Sequence, residues 1–199
     1  MKQHPDYHSV STVVSTGVGE YLARFRDPER FIAFCRACGS YRACWSCPPF
    51  DFDADAYLGR YRTAWLIGTQ VFPDAASLSA GTDDPVSFGR EIIRRARRPL
   101  GEFLLSLEKK YPASRAFFAG TCLLCPPGEC SRRERRPCLH PERVRPSLEA
   151  FGLDLERTAA EYLGIRMQWS HDGELPAYFT LVSGFFTDET IPTNEWENL

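Results

Sequence analysis

RTAWLIGTQVF, at residues 62–72, is rich in β-branched and aromatic residues and predicts a buried strand. Other stretches of similar composition predict strands at residues 9–15, 114–119 and 176–186. A segment rich in Gly, Asp and Pro at residues 80–85 separates the 62–72 strand from the element that follows it. We therefore expect three or four strands.

Helices are predicted in three places. Asp27 is a suitable N-cap, because Pro and Glu follow it in the first turn. Apolar residues recur at helical spacing across residues 86–110, where Pro99 is expected to kink or split the helix. Asp154 starts a third helix, which Gly164 should end. Since helices and strands do not alternate strictly, we expect an α+β fold in which a small mixed or antiparallel sheet packs with about three helices.

Eight cysteines fall into two compact groups, spaced Cys-x2-Cys-x5-Cys-x2-Cys and Cys-x2-Cys-x4-Cys-x7-Cys. A zinc ion or a cubane iron–sulfur cluster takes four thiolates, and a Cys-x-x-Cys pair lets one short loop present two of them. We therefore expect a single metal-binding domain over residues 1–199, with cysteine-rich metal-binding loops at 35–49 and 120–141. The candidate ligands are Cys35, Cys38, Cys44 and Cys47 in one centre, and Cys122, Cys125, Cys130 and Cys138 in the other.

A disulfide framework is the alternative explanation for an even number of cysteines. Residues 1–8 offer no apolar signal segment, and no apolar run is long enough to cross a bilayer. We therefore expect a cytoplasmic protein with no membrane partner. In a reducing cytosol, clustered thiols are more often metal ligands than cystines. A chain of 199 residues with 43% apolar content can also bury an ordinary core without disulfides.

The spacing distinguishes only partly between metals. A zinc site built from two Cys-x-x-Cys pairs normally has a longer insertion than the five residues between Cys38 and Cys44. A compact run that ends in Cys-Pro, as at Cys47 and Cys125, is typical of cubane clusters, although neither group has the ferredoxin spacing. The sequence therefore favours two iron–sulfur clusters of the 4Fe-4S type, with two zinc ions as the alternative.

Aromatic side chains flank the first cysteine group. Tyr41, Trp45 and Phe50 could exclude solvent from a cluster and tune its reduction potential, or could equally belong to the core. His140, two residues after Cys138, could replace a cysteine ligand, but a surface position is the simpler interpretation because four cysteines are already present.

Charge is unevenly distributed. The net charge is only −2, yet residues 90–145 contain fourteen basic and six acidic residues, a net charge of +8, and residues 187–199 form an acidic tail. The two regions could pair within the molecule, or the basic region could attract an acidic protein, an anionic substrate or nucleic acid. Some arginines of the second cysteine loop should face solvent, because Glu134 is the single acid among them. These arginines are Arg132, Arg133, Arg135 and Arg136.

Four segments carry a resemblance to a known family: CRACGSY at 35–41, WSCPP at 45–49, AGTCLLC at 119–125 and RPSLEAFGLD at 145–154. In this order they resemble the prokaryotic family of predicted metal-binding proteins, over about Cys35 to Thr158. The resemblance implies that all eight cysteines occupy ligand positions and that iron–sulfur clusters are the suspected cofactors, but it implies no established reaction. The many arginines around the second group depart from the family pattern.

Two functions of different class follow. The first is an iron–sulfur protein that transfers electrons to or from a redox partner protein, which the basic region suggests is acidic. The second is a structural-zinc binding module that docks an acidic protein or, less favoured, nucleic acid. The sequence contains no Ser/His/Asp arrangement, P-loop or Gly-rich dinucleotide motif. It therefore assigns no catalytic residue, and a redox component is the one enzymatic role that it suggests.

Overall fold

The strand predicted at residues 62–72 lies inside a four-stranded sheet in the computed structural model, which describes residues 7–74, 84–171, 174–197 and 199. The strands are β1 (Tyr7–Gly17), β2 (Thr63–Pro73), β3 (Ser114–Phe117) and β4 (Phe179–Thr187). They are arranged in the order β1-β2-β4-β3, and every neighbouring pair is antiparallel. The predicted α+β class and the antiparallel sheet are therefore confirmed.

Five α-helices surround this sheet in the described part of the chain. They are α1 (Val18–Phe25), α2 (Pro28–Ala37), α3 (Ala54–Gly59), α4 (Pro85–Lys110) and α5 (Leu155–Glu161). Short 3-10 helices occur at Ser131–Glu134, Leu148–Phe151 and Thr193–Trp196. The predicted helices correspond to α2, α4 and α5, whereas α1 and α3 were not predicted.

The sheet is covered on both faces because alternate side chains of its central strands point in opposite directions. On one face, Leu66 belongs to a buried cluster that includes Tyr21 of α1 and Leu58 of α3. On the other face, Ile67 belongs to a cluster that includes Ile92 and Leu104 of α4. The sheet therefore separates a layer of short helices from the long helix α4.

Pro99 does not split α4, which runs unbroken from Pro85 to Lys110. A proline inside a helix removes one backbone hydrogen bond and crowds the preceding turn. Ala96 and Leu100, on either side of it, are both buried against the sheet. Burial of this apolar face offsets the local cost. Of the two expected outcomes, the split is therefore wrong, and the kink stays a prediction.

The chain ends against the same layer as α4. Trp196 is buried, and its ring lies 5.1 Å from that of Trp65 in β2. Glu195 pairs with Lys110 at the end of α4, so one acid of the tail meets one base of the basic region. Of the break predicted at residues 80–85, residues 80–83 lie outside the described residues, and Asp84 and Pro85 form the N-terminus of α4. Among the helices that the structure describes, none combines the length and apolarity needed to cross a membrane.

Gly152 allows the 3-10 helix Leu148–Phe151 to approach α2 closely. Its φ is +82°, and its carbonyl accepts a 2.8 Å hydrogen bond from the amide of Asp27. A β-carbon at Gly152 would lie 2.6 Å from the α-carbon of Pro28. Gly164 also has a positive φ, of +66°, but no atom lies within 4 Å of the corresponding position.

We predict that Gly152→Ala lowers the free energy of unfolding by about 3 kcal/mol, because backbone strain and a steric clash act together. Gly164→Ala should cost only about 1 kcal/mol, since strain acts alone there. Chemical denaturation of both variants measures the difference. Equal losses would show that the backbone around Pro28 moves aside without cost.

Candidate metal centre

The first cysteine loop, residues 35–49, begins at the end of α2. Asp27 caps this helix by accepting a hydrogen bond from the amide of Arg30 at 3.0 Å, as predicted. Beyond the loop, the ring of Phe50 stacks on Phe151 with 4.9 Å between centroids. Both ends of the loop are therefore fixed to regular structure or to the core.

The second cysteine loop, residues 120–141, follows β3 and is fixed to α4 at its exit. Arg145, which is 6% exposed, donates to the carboxylate of Glu108 through Nε at 2.7 Å and also through Nη2. Glu108 also accepts the amide of Ala116 in β3, at 2.6 Å. One buried carboxylate therefore ties the exit of the loop to the strand that precedes it.

Ser46 joins the two cysteine loops. It is 2% exposed, and its Oγ accepts a 3.1 Å hydrogen bond from the amide of Cys122. The same Oγ lies 3.3 Å from the sulfur of Cys44 and 3.8 Å from that of Cys47. This hydroxyl therefore holds sulfur-bearing residues of both loops around one point.

Cys44 contacts a cysteine of each group. Its sulfur accepts hydrogen bonds from the thiols of Cys122 and Cys47, and these bonds lower the pKa of Cys44. The pKa values of Cys47 and Cys122 are raised, because each donates to Cys44 and is also partly buried. One thiolate forms readily here, whereas further ionisation needs a compensating positive charge.

The other cysteines form two sets. Burial and the neighbouring Cys38 raise the pKa of Cys35 at the end of α2. In the second loop, burial, then Cys130 and then Cys138, raise the pKa of Cys125. These cysteines therefore lie near their own group, while Cys44 and Cys122 connect the two groups.

The cysteines are gathered but are not arranged as ligands. All eight are free thiols, which excludes disulfides in this structure. Across residues 7–74, 84–171, 174–197 and 199, no group of three or more His, Cys, Asp or Glu side chains is arranged to hold a metal ion. The donor set nevertheless fits a thiophilic metal. Adjoining thiols cannot all ionise unless a cation compensates their negative charges, and thiolates are the form that binds such a metal. The assignment of four cysteines to each centre stays a prediction.

Backbone amides already point at two of the sulfurs. The amide of Leu124 donates to the sulfur of Cys122, and the amide of His140 donates to that of Cys138, both at 3.4 Å. Such bonds stabilise a thiolate and tune a bound metal. His140 thus contributes through its backbone to the sulfur of a predicted ligand.

Arg132 fastens the second loop to the first. Its guanidinium donates to three carbonyl oxygens of the first loop, those of Cys44 at 2.8 Å, Cys47 and Pro49. It also lies 5.1 Å from the ring centroid of Trp45, whose Nε1 donates to the carbonyl of Arg136 at 3.2 Å. Arg132 is therefore part of the loop interface and is not a free surface charge.

The three aromatic residues that flank the first cysteine group lie in different surroundings. Trp45 lies in the interface between the loops, as just described. Phe50 is packed in the aromatic core with Phe52 and Phe151. Tyr41 is half-buried and lies under the guanidinium of Arg42. Of the three, Trp45 is the one that the structure places between the two cysteine groups.

A cleft of about 530 Å³ opens between the loops and α4, which we call the cysteine cleft. Cys44, Cys122, Cys125 and Cys130 line it. Its other charged lining residues are the arginines Arg94, Arg98 and Arg133. The cleft is therefore a sulfur-rich site with a positive rim.

Two charged residues behind the second loop escaped the sequence analysis. The guanidinium of Arg97 donates to the carbonyl of Thr121, and burial lowers its pKa. Glu149 has an inaccessible Oε2 with no partner among the described residues, and burial raises its pKa. Glu149 lies in the RPSLEAFGLD segment, and the presence of an acid in one of the four segments that carry the family resemblance was the signal that could have identified it.

We predict that Arg132→Gln lowers the free energy of unfolding by about 2 kcal/mol, because three carbonyl oxygens lose a charged donor. Trypsin should then cleave after Arg42 faster than in the unchanged protein, since the first loop opens. Arg133→Gln is the control, because Arg133 is exposed and has no ion pair with any described residue. Identical stability and cleavage in the two variants would contradict the role of Arg132.

Comparison with known proteins identifies a family for this chain. Residues 25–183, which contain both cysteine loops, match the family described as predicted metal-binding protein (DUF2284). Neither the curated proteins nor the solved structures gave a match. The match spans most of the chain and includes all eight cysteines. The chain therefore belongs to this family of predicted metal-binding proteins.

Proposed function

We propose that the protein is a two-centre iron–sulfur protein that transfers electrons. The observation that carries the proposal is the contact of Cys44 with Cys122 across the loop interface. If each loop holds a centre, this contact makes the two centres immediate neighbours. Close spacing suits electron transfer between them, whereas two purely structural ions have no need of it.

The residues that would hold the clusters are the eight cysteines. Cys35, Cys38, Cys44 and Cys47 would bind one cluster, and Cys122, Cys125, Cys130 and Cys138 the other. Bound clusters would supply one-electron carriers. The chain itself contributes amide donors to sulfur at Cys122 and Cys138, and the indole of Trp45 links the two loops through its bond to the carbonyl of Arg136.

Iron–sulfur clusters are favoured over zinc for two reasons. All four cysteines of the first group fall within thirteen residues, and each loop contains a cysteine directly followed by proline, at Cys47 and Cys125. Cys44 is also hydrogen-bonded to both Cys47 and Cys122, and a multinuclear cluster can bridge such adjoining sulfurs. Structural zinc remains the second candidate, since four thiolates also suit that ion.

We predict that protein purified without oxygen is brown and contains about eight iron and eight sulfide ions per chain. Elemental analysis, sulfide assay and electron paramagnetic resonance after reduction measure this. Cys38→Ser and Cys125→Ser should each lose about half of the iron, because they alter different centres. A colourless protein with about two zinc ions per chain would replace the proposal with the zinc alternative.

The proposed electron-transfer partner is an acidic protein. Arg133 is exposed and lines the cysteine cleft, and Arg135 is exposed in the second cysteine loop. Neither pairs with a described carboxylate. Arg132 is used within the loop interface, and Arg136 pairs with Glu134 at 2.5 Å. Of the four arginines considered from the sequence, Arg133 and Arg135 are therefore the ones available for docking.

We predict that Arg133→Gln with Arg135→Gln slows electron exchange with an acidic flavodoxin about tenfold at low salt. The rate should also depend less on salt, because screening acts over about 10 Å at 0.1 M. Stopped-flow absorbance at several ionic strengths measures both. Lys109→Gln with Arg166→Gln is the control, since it removes the same charge from exposed positions elsewhere. Equal effects of the two double variants would contradict a local docking site.

A further inference from the structure

A second cavity, of about 370 Å³, lies between α4 and the start of the second cysteine loop. We call it the α4 cavity. It shares Arg98 and the segment 122–124 with the cysteine cleft, so Cys122 forms part of the wall between the two spaces. Its size falls within the range of small-molecule binding sites.

The floor of the α4 cavity is apolar with one hydroxyl. Leu100 and Leu104 of α4 are buried, and Phe118 and Leu124 complete the apolar wall. Ser183 of β4 is 0% exposed, and its Oγ has no hydrogen-bond partner among the described residues. An unpaired buried hydroxyl is costly, and a ligand oxygen reaching the floor would relieve that cost.

The rim of the α4 cavity is positively charged. Arg143 pairs with Glu102, so these two charges cancel. No described carboxylate lies within ion-pair distance of Arg97 or Arg98, and Arg97 also leaves its buried Nε without a partner. Arg97 already donates to the carbonyl of Thr121, so the exposed guanidinium of Arg98 is the one available at the rim. A guanidinium suits a carboxylate.

We propose that the α4 cavity binds a small organic carboxylate with an apolar body and a polar oxygen at its far end. The carboxylate pairs with Arg98 at the rim, the body lies among the leucines and Phe118, and the far oxygen bonds to Ser183. This site is built mainly by α4, the segment that follows β3 and Ser183 of β4, and its ligand is recognised by Arg98 and Ser183 whether or not the cysteines hold iron. Its ligand lies beside Cys122, next to the proposed metal centre.

The test uses three matched probes on the full chain purified without oxygen. They are 3-(4-hydroxyphenyl)propionate, its analogue 3-phenylpropionate without the hydroxyl, and tyramine, in which an ammonium replaces the carboxylate. Isothermal titration calorimetry should give the hydroxylated acid a dissociation constant of about 100 µM or below. The acid without the hydroxyl should bind several-fold more weakly, and tyramine should not bind.

Three variants locate the binding. Arg98→Gln should weaken both acids about tenfold, whereas Arg90→Gln, at an exposed position on α4 outside the cavity, should not. Ser183→Ala should abolish the preference for the hydroxylated acid. Gly101→Leu should abolish binding, because a β-carbon at Gly101 lies 3.5 Å from the ring of Phe118 and a longer side chain extends into the cavity.

Three results would overturn the proposal: neither acid binds the unchanged protein, tyramine binds as tightly as the acids, or Arg98→Gln binds both acids normally. Circular dichroism confirms that each variant is folded. Arg98→Gln alters an exposed side chain, so it keeps the test decisive if Gly101→Leu does not fold. Metal content is measured separately, and a zinc-loaded chain that binds the acids would refute the proposed electron transfer but not this site.

Discussion

The burial of the central strands on both faces is the constraint on which the structure depends. Most side chains of β2 and β4 are buried, whichever face they point to. Each face must therefore have its own apolar cover, and α4 alone can cover only one. The short helices α1, α3 and α5 and the 3-10 helix Leu148–Phe151 cover the other. The first cysteine loop leads from α2 to α3, and the second leads from β3 to that 3-10 helix.

The cysteine loops are held by groups other than cysteine sulfur. Arg132, Ser46 and the pair Arg145–Glu108 fix their backbones through hydrogen bonds and an ion pair. Cys44 meanwhile is hydrogen-bonded to the thiol of Cys122 in the other loop. The protein thus separates two tasks: polar side chains bring the loops together, and the sulfurs stay free for a cation. Such a division lets the loops form their interface before a metal is bound.

Local signals in the sequence were sufficient to identify several of the elements. Composition identified β2, the Asp27 and Asp154 side chains identified two helix starts, and spacing identified the cysteine groups. In contrast, α1 begins after Gly17 without a side-chain cap, and its apolar spacing over eight residues was too short to stand out. The continuity of the helix through Pro99 was not predictable, because the burial of its neighbours depends on strands far away in sequence.

The site residues divide in the same way. Side chains that donate to backbone carbonyl oxygens were not predictable. Every residue has a carbonyl group, so the acceptor leaves no pattern in the sequence. Arg132 therefore looked like any other surface arginine, although its acceptors lie 83 to 88 residues away. Ser46 looked like a loop serine, and its bond to the amide of Cys122 spans 76 residues. Contacts of this length follow from the packing of the sheet and not from the local sequence.

The placement of the tryptophans gives the molecule separate optical reporters. Trp65 and Trp196 form a pair in the core beside α4, Trp45 lies under Arg132 between the loops, and Trp169 is 70% exposed. Their fluorescence should differ in emission wavelength, because the polarity around each indole differs. Opening of the loop interface would change the emission of Trp45 while the core pair keeps its own. Loop opening and global unfolding can therefore be followed in one sample without any attached dye.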